Sequence, residues 1–187
     1  MGIFIAVLCS VSLISPAASF AMAQGSRAHD PETQKSCRDF VQTFYDWYVP
    51  KTRKNSGVPA SDLALKYKKT LFSPELLQAL TEDSEASAKA KGEIVGLDFD
   101  PFLNTQDPAR HYVLGNISVK DDRCSVDVHD VSLGKKSAKA VVVPELVLKG
   151  GQWMFVNFHY GRSERSEDEN LVTTLKTLEG DRQKYSK

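Results

Sequence analysis

The densest run of oxygen-bearing side chains in the chain is Asp98, Asp100, Asn104, Gln106 and Asp107, and donors at near-alternating positions are what calcium takes. An EF-hand loop would also need a third spaced acidic group, a central Gly and a closing Glu. None is present, so no metal is expected, and Asp98 and Asp100 read as caps that accept backbone amides in neighbouring turns. A second set suits proton transfer. Asp98, His159, Tyr160 and Tyr45 supply a carboxylate, an imidazole and phenols, which act as general acid or base when a fold gathers them in one cavity. No Gly-x-Ser-x-Gly, His-Glu-x-x-His, phosphate loop or Cys-x-x-Cys occurs, so no catalytic residue is assigned and no cofactor is expected. Recognition is the third possibility: Phe99 and Phe102 put apolar anchors beside the carboxylates of Asp98, Asp100 and Asp107. With Gln106, His111, Tyr112 and Lys120 they would form a partner or ligand surface, unless both rings fold back as core plugs.

Whether these groups meet depends on the segments that carry them. Residues 37–49 place Phe40, Phe44, Trp47 and Tyr48 at i, i+4, i+7 and i+8, which is one face of an α-helix. Four rings, each able to remove on the order of 150–250 Å² from water, demand enclosure. Phe44 and Trp47 are therefore expected in the core, with the rest of the domain folded around this helix and Pro50 ending it. Residues 24–35 read as a flexible leader, and the basic run Lys51–Lys54 reads as a solvated loop. Ser61-Asp62 and Ser73-Pro74-Glu75 are helix starts, the second helix fraying over Thr81–Lys91. The period then changes. Residues 110–120, 123–133, 138–149 and 152–160 are rich in Val, Ile, Phe and Tyr and separated by turn signals, which predicts a four-stranded antiparallel meander. Gly150-Gly151 suits a two-residue hairpin turn, Pro144 a bulge or edge register, and the last strand, apolar on both faces, a central position. Ser166-Glu167-Asp168-Glu169 reads as a capping box for a C-terminal helix with Leu171, Leu175 and Leu178 as its stripe and Gly180 as its stop.

Lys plus Arg and Asp plus Glu number 24 each, so the chain lacks the basic excess that a nucleic acid or an anionic membrane demands of a partner. Residues 3–23 are almost wholly apolar and end Ala21-Met22-Ala23-Gln24, the small-x-small form that signal peptidase cuts. Residues 1–23 are thus expected to be a signal peptide, 24–35 a leader and 36–187 a single α+β domain, periplasmic or secreted, with no stable membrane insertion after cleavage. The alternative is a retained anchor, since the apolar run is nearly long enough to span a bilayer. Export removes Cys9 and leaves Cys37 and Cys124, either a disulfide in an oxidising compartment or two separately buried thiols.

Helices first and a curved antiparallel meander second, with an aromatic helix that needs a concave surface, resemble the cystatin-like or nuclear-transport-factor-like cone. Phe44-Tyr45-Asp46-Trp47-Tyr48, the segment Leu97 to Asp107, and Trp153-Met154-Phe155-Val156-Asn157-Phe158 are similar to a bacterial family of exported domains of unknown function in that superfamily, over about Ser36 to Tyr160. The family has no established catalytic residues. The expectation is an exported, non-catalytic binding domain for an envelope protein or a small envelope ligand, in an inhibitor-like or immunity-like role. The alternative is a small cone-fold enzyme of isomerase, dehydratase or hydrolase type using Asp98, His159, Tyr160 or Tyr45 in the cavity. An open cavity would favour the enzyme or a small ligand, and a ring-filled one would favour the outer sheet face as a protein surface.

Overall fold

The computed structural model describes residues 31–54, 57–90, 95–161 and 169–185. The aromatic helix, α1 (Pro31–Thr52), is longer at both ends than its ring pattern predicts. Pro31 opens it, because a proline in the first turn gives up an amide that would have had no partner, and Glu32 lies near the positive end of the helix dipole. The expected leader is therefore helical from Pro31. Pro50 sits inside the last turn rather than ending the helix. Only Lys51 and Thr52 follow it, and their side chains donate at 2.9 Å to the carbonyls of Trp47 and Val49. The buried face is Cys37, Val41, Phe44, Tyr45 and Tyr48, rotated towards Tyr45 from the predicted stripe. Trp47, expected to be enclosed, is only half-buried.

Two short helices follow, α2 (Ala60–Tyr67) and α3 (Pro74–Lys89). α2 begins after Pro59 with no side-chain cap, so Ser61 and Asp62 lie inside it rather than at its start. α3 begins as expected: the Ser73 hydroxyl accepts from the Leu76 amide at 3.2 Å, and Pro74 occupies the first turn. It continues to Lys89 through the stretch expected to fray.

The sheet comprises β1 (His111–Lys120), β2 (Arg123–Ser132), a two-residue β3 (Lys135–Lys136), β4 (Val142–Lys149) and β5 (Gln152–Tyr160). The main order is β1-β2-β4-β5, every pair antiparallel, with β3 paired to the end of β2. Gly150 and Gly151, at φ +58° and +80°, turn β4 into β5 in the backbone region where a Cβ is penalised. Pro144, which cannot donate to a ladder, sits beside a bulge at Glu145/Leu146, as predicted. β5 is not central. It is the last strand of the order, and its apolar edge is covered instead by the chain before α3, where the Ser73 amide donates to the Phe155 carbonyl at 2.8 Å, and by the chain before the last helix, where the Tyr160 amide donates to the Glu169 carbonyl at 3.0 Å.

α4 (Leu171–Tyr185) is capped by Asn170, whose Oδ1 accepts from the Thr173 amide at 3.1 Å; Ser166 to Asp168 of the predicted capping box lie outside the described residues. The helix passes through Gly180 instead of stopping there, because Arg182 in its last turns is anchored. Its guanidinium bonds the buried Asp83 carboxylate of α3 at 2.6 Å and the Val95 carbonyl at 3.1 Å. Leu171 and Leu175 are buried.

Rings fill the space between α1 and the sheet. Phe44 lies 4.9 Å from Phe155 and 5.6 Å from Phe102, which in turn lies 5.0 Å from Phe158 and 5.3 Å from Phe72, centroid to centroid, in edge-on, tilted and stacked pairs. A buried disulfide between Cys37 and Cys124 ties α1 to β2, so the two-thiol alternative does not hold.

Candidate functional site

The segment between α3 and β1 is organised by Asp100. Its Oδ1 accepts from the amides of Phe102 (2.9 Å) and Leu103 (3.1 Å), and its Oδ2 from the Tyr48 hydroxyl (2.7 Å). Its own amide donates to the Thr105 carbonyl at 2.9 Å, while Asn104 takes φ +52° to close the turn. Two more phenols hold the same turn from inside: Tyr45 donates to the Phe102 carbonyl (2.9 Å) and Tyr160 to that of Pro101 (3.2 Å). Phe102 is thereby driven into the ring cluster with no exposed surface, and Phe99 packs edge-on against Tyr160. Neither is a free recognition anchor. Burial raises the Asp100 carboxyl to about 6, against its three hydrogen bonds, which favour the anion. Burial, followed by the charge of Asp100, also pushes the Tyr45, Tyr48 and Tyr160 hydroxyls well above the ordinary phenol range.

With the turn pinned on one side, its other side and the α2–α3 pair enclose a cleft of about 630 Å³. α3 contributes Asp83, Ser84, Ser87 and Ala88, neighbours on one face of a helix, and α2 contributes Ser61, Asp62 and Leu65. Opposite them stand Leu97, Asp98, Phe99, Thr105 and Gln106. Most of its carboxylates are already engaged. Asp62 accepts from the Ser84 hydroxyl at 2.8 Å, Asp83 accepts from the Leu97 amide at 2.9 Å besides Arg182, and Asp100 faces inward. Asp98 is exposed and, among the described residues, accepts from the Gln106 amide nitrogen alone, at 3.3 Å, which leaves Asp98 and Gln106 lightly tied at the rim.

No family model, curated protein or solved structure matches this chain. What it does must therefore be read from these distances.

The residues singled out for a partner surface divide among three places. Asp98, Asp100 and Gln106 line the cleft, Asp100 as its structural anchor rather than as surface. Asp107 and Tyr112 line a separate hollow of about 150 Å³, and His111 is exposed at the start of β1. Tyr112 is half-buried, its hydroxyl accepting from the Ala109 amide at 3.0 Å.

The acid–base set is not brought together. Tyr45 and Tyr160 spend their hydroxyl protons on carbonyls in the core. His159 points from the opposite face of the sheet, its Nε2 3.0 Å from Glu145, which also pairs with Arg123. Burial raises Glu145, but the His159 and Arg123 hydrogen bonds and the Arg123 charge outweigh it and hold the carboxyl below its ordinary range. A shallow concavity of about 390 Å³ lies there, with Ser118, Lys120, Ser125 and Val143 around the trio. Among the described residues, no group of three or more His, Cys, Asp and Glu is placed to hold a metal ion.

The α2–α3 wall carries no motif, but its residues do have a pattern. Asp83, Ser84, Ser87 and Ala88 make a small, polar face at helical spacing, which is what a cleft wall needs and which also resembles a fraying end.

Proposed function

We propose that this protein is an exported, non-catalytic binding domain of the cystatin-like type, periplasmic or secreted, whose cleft between α3 and residues 97–108 takes a polar ligand or a partner segment bearing hydrogen-bond donors. One observation carries the reading: rings occupy the space under α1 where a cone-fold enzyme keeps its substrate, while an open cleft of about 630 Å³ remains outside it. That volume lies within the range of about 300–1,000 Å³ typical of ligand sites. The rim suits donors, because Asp98 is a carboxylate with one long internal hydrogen bond. Export is supported by the apolar segment 3–23 and by the Cys37–Cys124 disulfide, which an oxidising compartment preserves. An inhibitor-like or immunity-like role fits a fold of this kind, since such scaffolds serve recognition as readily as catalysis.

The test is site-specific photo-crosslinking in the envelope. A photoreactive residue replaces Gln106 at the cleft, Ser125 on the outer sheet face, or the fully exposed Leu133 on a remote turn. The expected result is a discrete adduct from position 106 that disappears when Asp98→Ala is added. An adduct from position 125 alone moves the site to the sheet face, and identical products from all three positions remove the reading.

A further inference from the structure

Although the whole chain is formally neutral, six of its basic residues lie at the ends of α1 and α2. Lys51, Arg53 and Lys54 close α1, while Lys66, Lys68 and Lys69 close α2 and open the following turn. Lys51, Lys54 and Lys68 are neighbours across the two helices. Lys51 Nζ stands 4.0 Å and Lys68 Nζ 5.2 Å from the centre of the Trp47 ring, and Lys66 Nζ stands 5.2 Å from that of Tyr67. Among the described residues, none of the six basic groups at this end has a carboxylate within ion-pair distance. Desolvation and the charges of Lys54 and Lys68 lower the Lys51 ammonium, as expected where like charges crowd.

We propose that this basic, aromatic end is a peripheral docking surface for anionic phospholipid headgroups. Charge complementarity calls for an anion, and the rings decide its kind. Tyr67 is 61% exposed and Trp47 half-buried, each beneath a lysine, and amphipathic rings interleaved with ammonium groups are what the headgroup layer of a bilayer accepts. Beside Lys68, a groove of about 290 Å³ lined by Phe40, Phe44 and Leu71 with Asp39 and Thr43 adds a partly apolar surface. No insertion is implied, since no helix among the described residues is long and apolar enough to cross a membrane. Binding of this type adds across lysines and weakens as salt rises. None of these basic residues lines the cleft, so charge reversal here and substitution at Asp98 test the two readings independently.

The experiment is co-sedimentation of the protein with phosphatidylcholine vesicles with and without phosphatidylglycerol. Wild type and variants are prepared in the same form, so that any contribution of segment 3–23 is common to all. Wild type should sediment with the anionic vesicles and be released by salt. Lys54→Glu/Lys68→Glu/Lys69→Glu should weaken this by about tenfold or more. Tyr67→Ser should weaken it less and leave the salt dependence unchanged. Matching thermal melts confirm that the variants fold. Equal sedimentation with both vesicle types, or no effect of charge reversal, overturns the proposal. So does patch-dependent binding of soluble polyglutamate by a protein that ignores anionic vesicles, which would assign the surface to an acidic polypeptide.

Discussion

The ring cluster beneath α1 and the cleft beside α3 share a wall, the 97–108 segment, yet they are built on opposite terms. On the cluster side the contacts are rings at centroid distances near 5 Å, and the polar groups present, the Tyr45 and Tyr48 hydroxyls, are fully committed. The cleft side mixes short polar side chains with Leu65, Leu97 and Phe99, and among the described residues Asp98 is held by one 3.3 Å hydrogen bond. The difference separates what holds the molecule together from what it has left to offer. Substitutions on the first side should be read in stability and those on the second in binding.

The largest effect should come from the disulfide. Cys37 and Cys124 close an 87-residue separation, and the chain-entropy relation gives about 4–5 kcal/mol for a loop of that length. Cys37→Ser/Cys124→Ser should lose about this much in urea melts, and reduction of wild type should reproduce it. Phe44→Ala comes next, at about 3–5 kcal/mol, because it empties the centre of the cluster. A loss under about 1 kcal/mol would detach α1 from the core.

Asp100 belongs to both regions, and its effect has a sign. Its folded carboxyl titrates at about 6 against an ordinary value of 3.8, so between these values the folded state holds a proton that the unfolded chain has released. Stability from this group is complete below pH 3.8, falls as pH rises, and levels off above about 6. The total is about 2–3 kcal/mol. Asp100→Asn, which retains an acceptor for the amides of Phe102 and Leu103, should flatten that fall. A stability curve that rises through this window in wild type and is unchanged in the variant would remove Asp100 from the buried anchor role. The smallest effect belongs to Asp98→Ala, which should shift stability by less than about 0.5 kcal/mol, as for an exposed residue with one weak tie. A loss above about 1 kcal/mol would make it structural and blur the contrast.

The sequence carried the frame of this picture because the frame repeats. The ring spacing of α1, the alternating strands, the Gly150-Gly151 turn and the Ser73 cap are local patterns with one physical solution each. What failed was tertiary. Trp47 reads as core in its helical stripe, but the buried arc is chosen by the sheet, which prefers Tyr45. β5 reads as central because both faces are apolar, and it is the last strand of the order, its second covering coming from residues 72–73, remote in sequence, and from residues 169–170. Gly180 reads as a stop, overruled by an arginine two residues later that finds a carboxylate on α3. Within 98–107 the exposed Asp98 and the buried Phe102 differ in fate, and nothing in the local composition tells which side of the chain faces the core. Three tyrosines from distant segments decide it.

The pairing of Arg182 with Asp83 also imposes an order in time. Asp83 and the Val95 carbonyl are synthesised 99 and 87 residues before the arginine that completes their hydrogen bonds. Until Arg182 is made, the buried Asp83 carboxylate has, among the described residues, the Leu97 amide as its hydrogen-bond donor, and the inner wall of the cleft stays unlatched. The sheet and α1, joined through Cys124, can be finished before that moment. A chain lacking Arg182 should therefore keep the frame but hold the Asp83 wall of the cleft less firmly.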